Sequence, residues 1–266
     1  MPTVISRDGT TIDYEIKGQG PLLVFVAGAL QHRAVDQTTS AMADDLADRF
    51  TIIDFDRRGR GRSTDNAPYT TRKEIEDIGA LIDSHGGSAG LYGLSSGAVL
   101  ALEATAALPD KVTSALLYEP PIDPQTTPAE YLRRHEEMAK LAEKGDREAM
   151  LSAFMTSTGM SRQALNVFRQ GPAWAPFANV GFTIEHDYRI LADARESDAP
   201  PLRWSNIQVP VSVVDGDASF PFMEAGADWV AAGVPGAKRR TLAGQSHECD
   251  PKVLGPVIGD FFAYRP

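Results

Sequence analysis

The sequence predicts an α/β protein with a mainly parallel β-sheet, and three observations support this fold class. Apolar runs typical of strands alternate with helical patterns, starting with a strand at 22–26, a helix at 36–48 and a strand at 50–55. Such alternation is typical of a parallel sheet covered by helices on both faces. The run at 22–26 contains no polar residue, as in strands that are buried on both faces. The 266 residues, 42% of them hydrophobic, are enough for one large core with an insertion.

The other predicted elements follow in chain order. The pair Asp8-Gly9 favours a hairpin turn between strands at 3–6 and 10–16. Later patterns predict helices at 72–84, 98–107 and 251–264 and strands at 88–92, 112–118, 209–214 and 239–243. A long interval at 124–200 separates two of these strands, and its helix at 130–144 has the alternating charges of a solvated face.

The composition and the hydrophobic pattern argue against nucleic-acid binding and membrane association. A net charge of −10 argues against a nucleic-acid partner. The N-terminus lacks a basic segment followed by an apolar one, and the apolar run at 21–30 is too short to cross a bilayer. We therefore expect a cytoplasmic protein without membrane association. Both a monomer and a homo-oligomer remain open.

The sequence lacks the residue patterns typical of metal and cofactor sites. Cys249 is the only cysteine, which excludes an intramolecular disulfide and a thiolate metal cluster. The sequence has no His-x-x-x-His or Cys-x-x-Cys pair, and the glycines at 59 and 61 lack the rest of a dinucleotide fingerprint. We expect neither a metal nor a cofactor.

Residues 93–97, Gly-Leu-Ser-Ser-Gly, place Ser95 between two glycines, after a predicted strand and before a predicted helix. In this context Gly-x-Ser-x-Gly forms a sharp turn that exposes the serine hydroxyl at the edge of a sheet, because glycine has no Cβ to clash in a strained backbone. Ser95 is therefore the candidate nucleophile.

A serine hydroxyl needs a neighbouring base, and His247 is the candidate. It lies in a loop after the predicted strand at 239–243 and before the C-terminal helix, which is where a triad histidine is expected. Four other histidines fit this position less well, and a solvated or hydrogen-bonded side chain explains each of them: His32, His85, His135 and His186.

Four motifs together carry a resemblance to a known family. The segments 26–29 (Val-Ala-Gly-Ala), 56–63 (Asp-Arg-Arg-Gly-Arg-Gly-Arg-Ser), 93–97 and 244–247 (Gly-Gln-Ser-His) occur in the order and spacing of the α/β-hydrolases, which the chain resembles over nearly its whole length. The resemblance implies an α/β-hydrolase fold with a mostly parallel eight-stranded sheet and helices on both faces. It also implies a core domain at 1–123 and 204–266 and a helical lid at 124–203.

The resemblance further implies an oxyanion hole made of two backbone amides, those of Ala29 and Ser96. Amides directed at the developing negative charge stabilise a tetrahedral intermediate. Ala27 stands where the family usually has histidine, but this substitution leaves the backbone amides intact.

The acidic member of the triad departs from the usual pattern of the family. In most of the family it follows the seventh strand, and Ser219 occupies that position here. Glu119, directly after the predicted strand at 112–118, is the favoured substitute because that strand neighbours the nucleophile strand. Lactone hydrolases of the zearalenone-degrading type are similar in placing the acid there. Asp217 is the main alternative, and Asp215 or no acid at all remains open.

The interval that resembles a lid should shape the substrate pocket. Trp174 and Phe177 lie in a segment that its prolines should keep from forming a packed helix, so we expect them to line the pocket together with Gly28. An apolar pocket favours a bulky acyl or lactone substrate.

The resemblance implies a serine hydrolase acting on carboxylic esters or lactones of apolar small molecules, with Ser95, His247 and Glu119 as the triad. The same triad supports carbon–carbon bond hydrolysis or cofactor-free, haloperoxidase-like perhydrolysis. A ligand receptor that keeps the fold without turnover is the alternative from another class, since fold alone does not determine function.

Overall fold

A computed structural model of the protein describes residues 1–263. Its strands are β1 (Thr3–Ile5), β2 (Thr11–Gly18), β3 (Leu22–Val26), β4 (Thr51–Phe55), β5 (Ala89–Leu94), β6 (Val112–Tyr118), β7 (Val211–Gly216) and β8 (Lys238–Leu242). Its α-helices are α1 (Gln37–Leu46), α2 (Thr71–Asp83), α3 (Ser96–Ala107), α4 (Pro128–Glu143), α5 (Arg147–Ser157), α6 (Arg162–Gln170), α7 (Trp174–Val180), α8 (Ile184–Ala194), α9 (Met223–Gly233) and α10 (Pro251–Ala263).

The eight strands form one sheet in the order β1-β2-β4-β3-β5-β6-β7-β8. β2 pairs antiparallel with β1 and β4, and the remaining neighbours are parallel. The fold is therefore the predicted α/β-hydrolase fold with a mostly parallel eight-stranded sheet. Leu94 pairs with Tyr118, and Tyr118 pairs with Val214. The C-terminal ends of β5, β6 and β7 therefore lie side by side.

Helices cover both faces of the sheet, as the apolar strands predict. In β3, Val24 belongs to the core under α2, α3, α8 and α9, whereas Leu23 and Phe25 belong to the core under α1 and α10. This division follows from the period of two in a strand, which sends successive side chains to opposite faces. Both cores consist of side chains almost completely removed from water.

A helical insertion, α4 to α8, lies between β6 and β7 and has an apolar core of its own. One buried side chain of that core, Leu30, comes from the loop after β3, so the insertion packs directly on that loop. The domain boundary expected at 203/204 falls inside a 3₁₀ turn, Leu202–Asn206.

The structure corrects one expectation about the insertion. The segment with Trp174 and Phe177 forms helix α7, although its prolines predicted an irregular segment. Pro176 occupies the third position of α7, and the first-turn amides of a helix have no intrahelical acceptor, so proline costs no hydrogen bond there.

Most element bounds agree with the sequence patterns within about two residues, a normal uncertainty at element ends. Helix α9 was not predicted, and α5, α6 and α8 were expected only as parts of a helical lid. The helix predicted at 251–264 is α10, and residue 264 lies outside the described residues.

Candidate active site

Ser95 occupies a strained turn between β5 and α3, with φ 57° and ψ −128°. A Cβ on Gly93 would overlap the backbone of Gly97 and Ala98, and a Cβ on Gly97 would overlap the backbone of β3 and Ala27. Both glycines of Gly-x-Ser-x-Gly are therefore required by close packing. The half-buried serine lies at the strand edge predicted for a nucleophile.

Glu119 follows β6 with a second unusual backbone conformation, φ 48°. Its amide donates to the Val214 carbonyl oxygen at 2.8 Å, and the side chain is completely buried. A positive φ in a non-glycine residue is costly and persists only where the surroundings enforce it. Here it turns the carboxylate towards the loops after β7 and β8.

The Glu119 carboxylate accepts three short hydrogen bonds. Oε2 lies 2.6 Å from Nδ1 of His247 and accepts a 2.7 Å bond from the Ser219 hydroxyl. Oε1 accepts a 2.9 Å bond from the Gly216 amide. A carboxylate facing Nδ1 favours the tautomer with the proton on Nδ1, which leaves Nε2 free to accept a proton.

The two aspartates considered for the acid are engaged elsewhere. Asp217 is exposed and its Oδ1 accepts a 2.6 Å hydrogen bond from the Gly244 amide, which ties the histidine loop to the β7 loop. Asp215 is buried, and its Oδ1 accepts bonds of 2.9 Å from both Arg239 and Thr241. The geometry therefore pairs Glu119, and neither aspartate, with His247.

His247 lies in the loop between β8 and α10, and side chains from other loops and strands hold its ring in place. Its side chain is 29% exposed, and its ring meets Phe220 edge to face with centroids 5.7 Å apart. The buried Tyr118 hydroxyl donates to the Ser246 carbonyl oxygen at 2.6 Å. One edge of the imidazole is thus fixed by protein and the ring remains partly open to a ligand.

The two amides predicted for the oxyanion hole have no acceptor in the described structure. Among residues 1–263, no hydrogen bond occupies the Ala29 or the Ser96 amide. Gly28 packs so closely that a Cβ on it would lie 3.0 Å from the Ser95 Cβ. The Gly28 amide itself donates to Oε1 of Gln31 at 2.6 Å, so Gly28 offers shape but no donor.

A buried ionic network behind these amides was missed by sequence reasoning. Arg57 pairs with both carboxylate oxygens of Glu74, at 2.7 and 2.6 Å, and with Asp187 at 2.8 Å. Burial by itself would raise the pKa of Glu74, but Arg57 outweighs it and lowers that pKa to about 2. Only the arginine-rich motif at 56–63 hinted at this network, because no local pattern marks Asp187 as a partner.

Trp174 and Phe177 lie in the apolar core of the insertion. Trp174 is buried, and Phe168 meets its ring edge to face at a centroid distance of 5.5 Å. Phe177 is half-buried and its ring lies 6.0 Å from that of Phe168. The role of both residues in lining a pocket stays a prediction.

None of the helices within residues 1–263 has the length and apolar character to cross a membrane. No cluster of three or more His, Cys, Asp or Glu side chains arranged to hold a metal ion occurs in the same residues.

Comparison with known proteins places this geometry in context. The family model described as "Alpha/beta hydrolase family" matches residues 23–252. A crystal structure of an alpha/beta hydrolase from Sphaerobacter thermophilus is 36% identical, with a TM-score of 0.83, and the match covers 98% of this chain and 100% of that one.

Two further matches are lower in identity or cover less of the chain. The enol-lactonase from Burkholderia xenovorans is 19% identical with a TM-score of 0.70, covering 99% of this chain and 100% of that one. A 2-(acetamidomethylene)succinate hydrolase from Mesorhizobium japonicum is 36% identical over a segment covering 40% of this chain and 38% of that protein. The chain thus aligns with about two fifths of the length of the curated relatives it matches.

Proposed function

Because the chain belongs to the alpha/beta hydrolase family, we propose that it is a serine hydrolase that cleaves carboxylic esters or lactones of apolar small molecules. The observation that carries the proposal is the 2.6 Å pairing of His247 Nδ1 with the buried carboxylate of Glu119. A serine in a strained elbow, a histidine held by a carboxylate and two unoccupied amides are the parts of an acyl-transfer site.

The first half-reaction forms an acyl-enzyme. The Ser95 hydroxyl oxygen attacks the carbonyl carbon while its proton passes to His247 Nε2. The carbonyl oxygen becomes an oxyanion that accepts hydrogen bonds from the Ala29 and Ser96 amides, and Glu119 stabilises the imidazolium. Collapse of the tetrahedral intermediate expels the alkoxide, which takes the proton from His247.

The second half-reaction reverses these roles with water. His247 takes a proton from a water molecule, whose oxygen attacks the acyl carbon, and Ser95 leaves with that proton. The acid product is released and the enzyme is restored. Only protein groups and water take part in this route.

The apolar substrate class rests on the helical insertion, which we propose acts as a lid. Its core of aromatic, methionine and aliphatic side chains includes Leu30, the neighbour of Ala29 in the loop after β3. A lid built in this way presents apolar surface beside the reacting carbonyl, which favours an apolar acyl group. One structural neighbour is an enol-lactonase, and we propose a lactone as one form of the substrate.

Labelling with a fluorophosphonate probe tests the reaction class. We expect a covalent adduct on Ser95 in the wild-type protein, located by peptide mass spectrometry, and no adduct in Ser95→Ala. A panel of acetate, long-chain and aryl esters and of lactones should show turnover that Ser95→Ala reduces by several orders of magnitude. If Ser95→Ala kept more than about a tenth of wild-type turnover, the assignment of the nucleophile would be wrong.

Two outcomes of the same experiment separate the alternatives. A folded wild-type protein that neither labels nor turns over any substrate would favour a ligand receptor on this fold. Peracid formation from hydrogen peroxide and acetate, or cleavage of a carbon–carbon bond in a diketone, at rates above those for esters would favour the alternative chemistries of the same triad.

A further inference from the structure

One carboxylate of the helical insertion forms hydrogen bonds both with the turn that carries Ser95 and with the arginine-rich loop at 56–63. Asp187 lies on α8 and is almost completely buried. Its Oδ1 accepts hydrogen bonds of 2.8 Å from the Ser96 hydroxyl and from Arg57, and its Oδ2 accepts one of 2.7 Å from Arg60. Burial would raise the pKa of Asp187, but Arg60, Arg57 and the Ser96 hydroxyl hold it below its ordinary value, so the group is a carboxylate.

Arg60 connects Asp187 to the loop after β3. Nη1 of Arg60 donates to the Gly28 carbonyl oxygen, and Nη1 of Arg57 donates to the Ala27 carbonyl oxygen at 3.1 Å. A trans peptide is planar, with its C=O and N–H on opposite sides. Holding the Gly28 carbonyl therefore also sets the direction of the Ala29 N–H, the proposed oxyanion donor.

Asp187 is also connected to the second proposed oxyanion amide, that of Ser96. The Ser95 carbonyl oxygen accepts from the Ala98 amide at 2.9 Å and from the Val99 amide at 3.4 Å, so the Ser96 N–H points the other way, out of the helix N-terminus. The Ser96 side chain is held by Asp187. Both ends of that peptide are then fixed.

We propose that Asp187 is a positioning residue that aligns the two oxyanion amides, that of Ala29 through Arg60 and that of Ser96 through its hydroxyl. The proposal rests on the proposed function, because it needs an oxyanion to form at these amides. Preorganised donors are effective since they need no reorganisation when charge develops. The insertion thereby acts on transition-state binding as well as on substrate shape.

The same arginine-rich loop supplies a matched control. Arg58 forms an equally buried two-point pair with Asp77, at 2.8 and 2.7 Å. Its other partners are Asp8, the Lys73 carbonyl oxygen and, at 3.9 Å, Asp65, which lie outside the loop after β3 and the Ser95 turn. Asp77→Asn thus weakens a buried pair of the same kind without contacting the oxyanion amides.

The test compares Asp187→Asn and Ser96→Ala with Asp77→Asn, using ester kinetics and inhibition by an alkyl trifluoromethyl ketone. In that inhibitor, Ser95 Oγ adds to the ketone carbon, its proton passes to His247, and an oxyanion remains in the proposed hole. We expect kcat to fall about 10- to 100-fold in Asp187→Asn and about threefold to tenfold in Ser96→Ala, with KM within about twofold. The inhibition constant should rise by the same factor as kcat falls.

Asp77→Asn should keep kcat within about threefold of wild type, even where its melting temperature falls as far as that of Asp187→Asn. Equal kcat losses in Asp187→Asn and Asp77→Asn, or an unchanged inhibition constant in Asp187→Asn, would overturn the inference while leaving Ser95 labelling intact. If Asp187→Asn did not fold, Ser96→Ala would decide, and wild-type kcat in that variant would overturn the inference. A wild type without labelling or ester turnover would overturn it together with the proposed function.

Discussion

The hydroxyl of Ser219 donates a 2.7 Å hydrogen bond to Oε2 of Glu119, the same oxygen that faces Nδ1 of His247. Ser219 stands where most α/β-hydrolases have their acid. The glutamate reaches this place from the neighbouring strand β6, and the serine becomes a donor to it. A hydrogen bond to the ionised form of a carboxylate stabilises that form.

Ser219→Ala should therefore weaken catalysis without abolishing it. The variant loses one of three donors to Glu119 but keeps the Gly216 amide and His247, so we expect kcat to fall about threefold to tenfold. Steady-state kinetics on the best ester would measure this loss. A loss as large as that of Ser95→Ala would mean that Ser219 takes part in the chemistry itself.

Replacing the acid by its amide tests the pairing directly. Glu119→Gln should lower turnover strongly, by as much as about ten-thousandfold, because the amide no longer stabilises the imidazolium or its tautomer. Asp217→Asn, which affects a loop contact with Gly244, should stay within about tenfold of wild type. The reverse order of the two variants would assign the acid to the β7 loop.

Trp174→Ala should affect stability and substrate preference together. Removing a buried indole from the core of the insertion should lower the free energy of unfolding by about 3–5 kcal/mol. Turnover of a bulky ester should fall more than that of an acetate ester, because the loss of apolar contact in the proposed pocket penalises the larger acyl group. Urea unfolding and the ratio of the two kcat/KM values measure these effects, with the half-buried Phe177→Ala as the milder comparison. Equal losses on both esters would mark Trp174 as purely structural.

Asp54 on β4 should make stability depend on pH. Burial first, and then the nearby charge of Asp36, raise the pKa of Asp54 from 3.8 to about 7. Between these pH values the folded state holds a proton that the unfolded chain has released, so stability falls as pH rises through this window and stays reduced above it.

Asp54→Asn removes this pH dependence. We expect the variant to match wild type near pH 4 and to exceed its free energy of unfolding at pH 8 by about 1–4 kcal/mol. Denaturant unfolding across this range is the measurement, with Asp45→Asn on the exposed surface of α1 as a control that should follow the wild-type curve. Parallel curves for Asp54→Asn and wild type would contradict the expectation.

Local patterns were sufficient for the sheet, for helices α1 to α4 and α10, and for the sharp turn at Ser95. Alternating apolar runs reveal strands and helices because burial of one face has a fixed period along the chain. The two glycines around Ser95 mark a turn that only they can enter. Helix α9 was not predicted because glycines and charged residues interrupt its apolar residues. The helical periodicity of its hydrophobic residues is therefore weak.

The sequence by itself determined the fold class, the strained serine turn and a histidine in a loop before the last helix. These features depend on residues close together in the chain. Only the tertiary structure decided that Glu119, rather than Asp217, faces His247. It also decided that Asp187 joins Ser96 to the arginine-rich loop at 56–63. Those partners are 128 and 91 residues apart, and such contacts depend on strand order and loop packing, which no local pattern encodes.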